Sequence, residues 1–123
     1  MGMMVAVYRF LSHREVGENE LSVKWLPKTA TNVSYFRSYG FTAYEFDISE
    51  SDFVKWSSWQ LSPIERPVTV FRYCHGNPAV AFDSKRAIVV NGLTYSYRYH
   101  NHGGVIVAYD RTKGRAFYWS APR

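Results

Sequence analysis

Hydrophobic and polar positions alternate most clearly in "FTAYEFDI", residues 41–48. One side of this run carries Thr42, Tyr44, Phe46 and Ile48, and the other side carries the acids Glu45 and Asp47. A period of two with acids on one side predicts a half-buried β-strand whose acids face outward. The preceding run, "NVSYFRSYG", is rich in β-branched and aromatic residues and ends at Gly40, so the two runs predict a β-hairpin.

The pattern changes to a helical period in "ISESDFVKWSSWQL", residues 48–61. Ser49 is a suitable N-cap, and Asp52, three residues later, completes a capping box. Phe53 and Trp56 then lie on one stripe, and Pro63 stops the helix. The sequence therefore predicts a helix over 50–61, with Trp56 facing the sheet.

Everything after Pro67 has the pattern of strands and turns. The run "VTVFRYC" (68–74) predicts a strand, and residues 86–99 predict a hairpin whose Asn-Gly pair suits a type I′ turn. The stretch "VIVAYD", "RTKG", "RAFYWS" (105–120) predicts two further antiparallel strands joined by a turn.

Residues 1–30 have the weakest pattern. Apolar residues near the start fit a helical stripe or an edge strand, whereas the polar run "REVGENE" (14–20) predicts a loop. Trp25 and Leu26, just before Pro27, are expected to anchor this segment onto the core.

These elements together predict an α+β fold, in which a single long helix packs on a twisted antiparallel sheet of five to seven strands. The length predicts a single domain over 1–123, with the core in 32–123 and a poorly determined N-terminal segment, 1–30. The element order is also similar to cystatin-like and nuclear-transport-factor-like folds. That similarity is an analogy of architecture, and such folds host many functions.

Residues 26–56, "LPKTATNVSYFRSYGFTAYEFDISESDFVKW", resemble a group of small uncharacterised bacterial proteins. In that group a leucine-proline and an "A-x-N-V" lead into two strands and a "DISE-x-D-F" helix start. The closing "VAYDRTKGRAFYWS" is similar to the last hairpin of the same group. The resemblance implies a bacterial protein but no activity, and some members of the group begin with a membrane anchor.

The composition is that of a globular chain, with 4 Trp, 10 Tyr and 8 Phe among its 123 residues. Cys74 is the only cysteine, which suits a reducing compartment and favours the cytoplasm. No run approaches the ~20 apolar residues of a membrane-spanning helix, and no signal-peptide pattern begins the chain. The net charge of +5 is concentrated after residue 67.

The stretch "RYHNHGG", residues 98–104, is the strongest candidate for catalysis or metal binding. Cys74, His75, His100 and His102 would supply enough ligands if two strand ends were neighbours. The surrounding Asn and Gly residues are typical of a turn, which is the favoured interpretation. The acids Glu50 and Asp52 are explained by the helix start, and no catalytic motif occurs. We therefore predict no catalytic residues, no metal and no cofactor.

Basic residues in the C-terminal half form a second candidate site, a patch for an acidic protein or a small anion. Its members are Arg72, Arg98, Arg111, Lys113 and Arg115. Nucleic acid is disfavoured as the partner, because rings and basic groups alternate to opposite faces of residues 93–100.

Aromatic residues of the same half form a third candidate site, a cavity at the open end of a curved sheet. Its lining would be Tyr95, Tyr97, Tyr99, Tyr109 and Trp119, unless these rings simply fill the core. The favoured function is a non-enzymatic binding or protein-interaction module. The alternatives are a small enzyme or small-molecule binder that uses the tyrosine cavity and, third, a nucleic-acid binder.

Overall fold

The structure is a computed structural model and describes residues 15–20, 25–37, 41–71, 86–99 and 103–121. It contains nine strands and one short helix in these ranges. The strands are β1 (Glu15–Glu20), β2 (Thr31–Arg37), β3 (Thr42–Asp47), β4 (Ser62–Pro63), β5 (Val68–Phe71), β6 (Arg86–Val89), β7 (Gly92–Arg98), β8 (Gly104–Asp110) and β9 (Arg115–Ala121), and the helix is α1 (Glu50–Trp56).

Seven of the strands form one sheet in the order β1-β2-β3-β9-β8-β7-β4, and every neighbouring pair is antiparallel. The strands β5 and β6 pair with each other in a separate two-stranded sheet. The predicted antiparallel sheet with one helix is thus confirmed, as are the hairpins β2–β3 and β8–β9.

The helix packs on part of one face of the large sheet. Phe53 is buried, and its ring stacks on that of Tyr109 with 5.3 Å between the ring centroids. Trp56 lies edge-on to Phe46 at 6.1 Å, so the predicted contact between Trp56 and the sheet is present. Trp25 closes this face, with its ring 5.0 Å from that of Tyr118.

The β5–β6 hairpin covers part of the opposite face. Val70 and Val89 are fully buried and pack against Ala108 and Phe117 of the large sheet. The central strands are therefore enclosed on both faces, by α1 on one and by β5–β6 on the other.

The helix is shorter than predicted, and the expectation of a single long helix over 50–61 is wrong. It ends at Trp56, and Ser57 is the C-cap, whose N–H donates to the Phe53 carbonyl at 2.9 Å. The Ser57 hydroxyl also accepts from the N–H of Trp59 at 3.3 Å. Serine side chains that bind nearby main-chain groups favour caps and turns over continued helix, and this explains the early end.

Residues 15–20 form the edge strand β1, paired with β2, so the prediction of a loop there is wrong. The polar sequence was interpreted as a loop, but an edge strand, which is paired on only one side, can also be polar. The predicted strand 68–74 is observed over Val68–Phe71, and its last three residues lie outside the described ranges.

The predicted hairpin of residues 86–99 is also wrong, because β6 and β7 belong to different sheets. A type I′ turn needs positive φ at both central residues. Among the described non-glycine residues only Asn32 has positive φ, so Asn91 does not meet this condition. The Asn91-Gly92 pair instead carries the chain from one layer to the next.

Candidate binding groove

A groove of about 500 Å³ lies at the end of the large sheet where β7 and β8 are joined. Its lining residues are Ser96, Tyr97, Arg98, Gly103, Gly104, Val105, Ile106 and Trp119. Its volume falls within the usual range for ligand-binding clefts, which is roughly 300–1,000 Å³. We refer to these eight residues as the β7–β8 groove.

Strand register explains why side chains from three strands meet in the β7–β8 groove. Ser96 lies opposite Ile106, and Ile106 lies opposite Trp119 on the next strand. Residues directly opposite each other in an antiparallel sheet project to the same face. Ser96, Ile106 and Trp119 therefore form one row on the face opposite α1.

Arg98 belongs to the next row on the same face, where its strand partner is Gly104. A Cβ atom on Gly104 would come within 2.5 Å of the Tyr97 carbonyl oxygen. Only glycine permits the two strands to approach this closely. Gly104 therefore contributes no side chain to the row in which Arg98 lies.

Within the described ranges, part of the outer edge of β7 is unpaired beside the groove. Strand β4 pairs only with Leu93 and Thr94. Over the described ranges, no other strand pairs with the outer edge of Tyr95–Arg98.

The main-chain groups at this edge have a definite direction. The Gly92 carbonyl accepts from the N–H of Ile64 at 3.0 Å, which shows that it points away from β8. Because main-chain groups in a strand point alternately to its two sides, those of Ser96 and Arg98 also point outward. These two residues therefore present both an N–H and a C=O at the open edge.

Arg98 is an exposed cation, and in the part of the chain that the structure describes no carboxylate forms an ion pair with it. The other basic residues predicted for an anion site have different surroundings. Lys113 is exposed in the β8–β9 turn, at the opposite end of β8 from Arg98, and Arg72 lies outside the described residues.

Arg111 binds Glu50 at the start of α1 through two hydrogen bonds. Its Nε donates to Oε1 at 2.7 Å and an Nη donates to Oε2 at 3.0 Å. The hydrogen bond from Arg111 holds the pKa of Glu50 below its usual value, and the same bond raises the pKa of Arg111.

Arg115 bridges two acids on β3, binding Asp47 at 2.7 Å and Glu45 at 2.9 Å. Only 5% of the Glu45 side chain is exposed, so the expectation that Glu45 faces solvent is wrong. The reason is the register, which places Arg115 directly opposite Asp47. Arg111 and Arg115 therefore already hold carboxylates of their own chain.

The five residues predicted to line an aromatic cavity lie on two faces of the sheet. Tyr95 lies opposite Val107, which in turn lies opposite Tyr118 on the α1 face. Two residues along the strand, Tyr97 projects to the same face. Trp119 follows Tyr118 and so projects to the other face. Of the predicted five, Tyr97 and Trp119 are lining residues of the β7–β8 groove, but only the Trp119 side chain lies on the face that carries Ser96 and Ile106.

Tyr109 is part of the core beneath α1. It is buried, and its hydroxyl donates to the Ile48 carbonyl at 2.8 Å. Removal from water raises its pKa. Tyr99 lies farther along β7, with its ring edge-on to Tyr97 at 5.3 Å. Tyr109 is thus a core residue, whereas Tyr97 and Tyr99 form a pair at the end of β7.

The histidine-rich stretch is described only at its two ends. His100 and His102, together with Cys74 and His75, lie outside the described residues. The Tyr99 N–H donates to the Gly103 carbonyl at 2.7 Å, which brings the ends of the β7–β8 connection together. Within the described ranges, no group of three or more His, Cys, Asp or Glu side chains is placed to hold a metal.

Comparison with protein-family models, with curated proteins and with solved structures found no match. The resemblance to small bacterial proteins and the cystatin-like and nuclear-transport-factor-like analogies therefore stay predictions. The described part of the chain contains no helix with the length and apolar character needed to cross a membrane.

Sequence reasoning missed the open edge of β7 and the contribution of Ile106. The alternation in "LTYSYRYH" does place Ser96 and Arg98 on one face. However, nothing in the sequence indicates that β4 pairs with only two residues of β7. The length of this pairing depends on where the chain that follows α1 reaches the edge of the sheet.

Proposed function

We propose that this protein is a non-enzymatic binding module that takes an anionic partner in the β7–β8 groove. The observation that carries the proposal is Arg98, an exposed basic residue that lines the groove together with Ile106 and Trp119. Apolar and aromatic walls with one placed charge are typical of specific binding sites. The net charge of +5 also favours encounter with acidic molecules.

The alternatives have less support from the same geometry. An enzyme that used the tyrosines would need them at one site, but Tyr109 is buried and its hydroxyl is bound to Ile48. Burial also raises the pKa of Tyr109, which moves it away from the neutral range useful for proton transfer. A nucleic-acid binder needs stacking rings beside several available cations, whereas Arg111 and Arg115 hold carboxylates.

The proposal is tested by titrating isotope-labelled protein with blocked hexaglutamate and recording amide and indole NMR signals. We expect the largest shifts at Ser96, Arg98, Ile106 and the Trp119 indole, with affinity falling as salt is added. Arg98→Ala should weaken binding about fivefold, the upper range for one exposed ion pair.

Lys113→Ala is the charge-matched control, since it removes one exposed positive charge at the other end of β8. It should weaken binding less than Arg98→Ala does. Equal effects of the two variants, or shifts centred on the turn at 111–114, would refute a site at the groove.

A further inference from the structure

We infer that the partner of the β7–β8 groove is an extended peptide that adds a strand to the open edge of β7. This inference rests on the proposed function and specifies its ligand. A sheet edge with unpaired main-chain donors and acceptors is a template for another strand. The outward N–H and C=O groups of Ser96 and Arg98 supply that template.

The peptide is expected to run antiparallel to β7, continuing the line that β4 follows on the same edge. Ser62 and Pro63 already pair with β7 in this direction. The preceding chain leaves the edge at Leu61, whose N–H donates to the Trp59 carbonyl at 3.0 Å and whose side chain packs on the α1 face. As far as the described residues show, the edge is therefore unpaired from Tyr95 onward.

Register predicts the chemistry of the peptide. A residue opposite Arg98 or Ser96 places its side chain on the groove face, whereas a residue opposite Tyr97 places its side chain on the α1 face. An acidic residue opposite Arg98 would complement its charge. An apolar residue opposite Tyr97 would cover an aromatic residue that is 54% exposed. The favoured ligand thus alternates acidic and apolar residues.

The probe is a blocked hexapeptide of alternating valine and glutamate, and the comparison peptide has three valines followed by three glutamates. Both peptides carry the same charge and apolar content, but only the first presents acids on one face of a strand. We expect the alternating peptide to bind at least about threefold more tightly by NMR titration, since each well-placed cross-strand pair adds a fraction of 1 kcal/mol. Equal affinities would overturn the inference.

Substitutions at Ser96 test the main-chain contact directly. Ser96→Pro removes an N–H that faces the open edge and leaves the hydrogen bonds between β7 and β8 intact. It should weaken binding of the alternating peptide about fivefold, the contribution of one main-chain hydrogen bond. Ser96→Ala keeps the N–H and should bind more tightly than Ser96→Pro.

Methylation of peptide nitrogens provides the same test on the unaltered protein, in case Ser96→Pro fails to fold. In an antiparallel pair, the residue opposite Arg98 directs its own N–H toward β7. N-methylation of the glutamates should therefore weaken binding, and N-methylation of the valines should not. Any other pattern overturns antiparallel strand addition.

The outcomes separate the two proposals. If Arg98→Ala weakens binding but Ser96→Pro and N-methylation do not, the groove binds anions and strand addition is wrong. If Arg98→Ala has no effect on either hexaglutamate or the alternating peptide, both proposals are wrong.

Discussion

Gly92 stands where the chain crosses from the β5–β6 layer into the large sheet. Its φ is 151°, a backbone conformation that residues with a side chain rarely adopt. A Cβ atom there would overlap with the carbonyl oxygen of Tyr109, which is main chain and cannot rotate away. Glycine is therefore required at position 92 for two reasons: the backbone conformation disfavours a side chain, and there is no space for a Cβ atom.

We expect Gly92→Ala to lower the free energy of unfolding by at least about 2 kcal/mol, since both requirements are violated. Gly114→Ala is the matched control, because Gly114 also has positive φ but its Cβ would meet no atom closer than 3.9 Å. The control should cost about 1 kcal/mol. Urea denaturation measures both, and equal losses would show that the crossing is not sterically tight.

The surroundings of a single residue could be predicted from the sequence only where they depend on its near neighbours in the chain. The charges of Arg111 and Arg115 were evident, but their partners Glu50 and Glu45 lie 61 and 70 positions away. Such pairs depend on strand register, which no local spacing reveals. For Arg98, the alternation of β7 correctly indicated its face and could not indicate its neighbours.

At the scale of elements, the local sequence pattern predicted the start of α1 correctly and its end wrongly. The Ser49 hydroxyl accepts from the N–H of Asp52 at 3.2 Å, which is the predicted N-cap contact. The end was mispredicted because the stripe of Phe53 and Trp56 continues into Trp59 and Leu61, residues that pack on the same core without being helical. A helical spacing of hydrophobic residues shows which residues are buried, but it indicates a helix only indirectly.

Ser49→Ala is expected to reduce the free energy of unfolding by about 1 kcal/mol, because it leaves an N–H of the first turn without its acceptor. Ser58→Ala is a suitable control, since Ser58 is exposed and lies beyond the helix. Thermal melts should show a lower midpoint for Ser49→Ala alone. Identical melts for the two variants would mean that water replaces the cap without loss.

The sequence pattern also could not predict the order of strands in the sheet, because that order depends on tertiary packing. The run 86–99 alternates well and contains an Asn-Gly pair, so a hairpin was the local expectation. The observed separation of β6 and β7 arises because Val89 packs with Val70 on the far face of the large sheet. Tertiary burial outweighed turn preference here.

At the scale of the whole molecule, the ion pair between Glu50 and Arg111 ties α1 to the β8–β9 turn. Arg111 also donates to the Asn91 side chain at 3.2 Å, so three separate segments meet there. The hydrogen bond from Arg111 lowers the pKa of Glu50 below its usual 4.5. We therefore expect this link to make the stability of the fold depend on pH in the acid range.

Because the folded-state pKa of Glu50 lies below its unfolded value, its stabilisation is present above about pH 4.5. The stabilisation is lost as the pH falls through the folded-state pKa. We expect Glu50→Gln to melt roughly 2 °C below the parent protein at pH 7, and the difference to shrink toward pH 3.

Asp52→Asn controls for the helix dipole, since Asp52 is the other acid in the first turn of α1. If both variants shift the melt equally at every pH, the effect comes from charge at the helix end and not from Arg111.

The position of β9 has a consequence for the time at which the protein can fold. This strand lies in the middle of the large sheet, between β3 and β8, and pairs residues 42–47 with residues 115–120. During synthesis, β2 and β3 emerge long before the strand that must lie beside them. Until residues 115–121 leave the ribosome, one edge of β3 and one edge of β8 stay open. Non-local pairing of this kind slows folding and exposes strand edges, so we expect the nascent chain to be most prone to aggregation before β9 is complete.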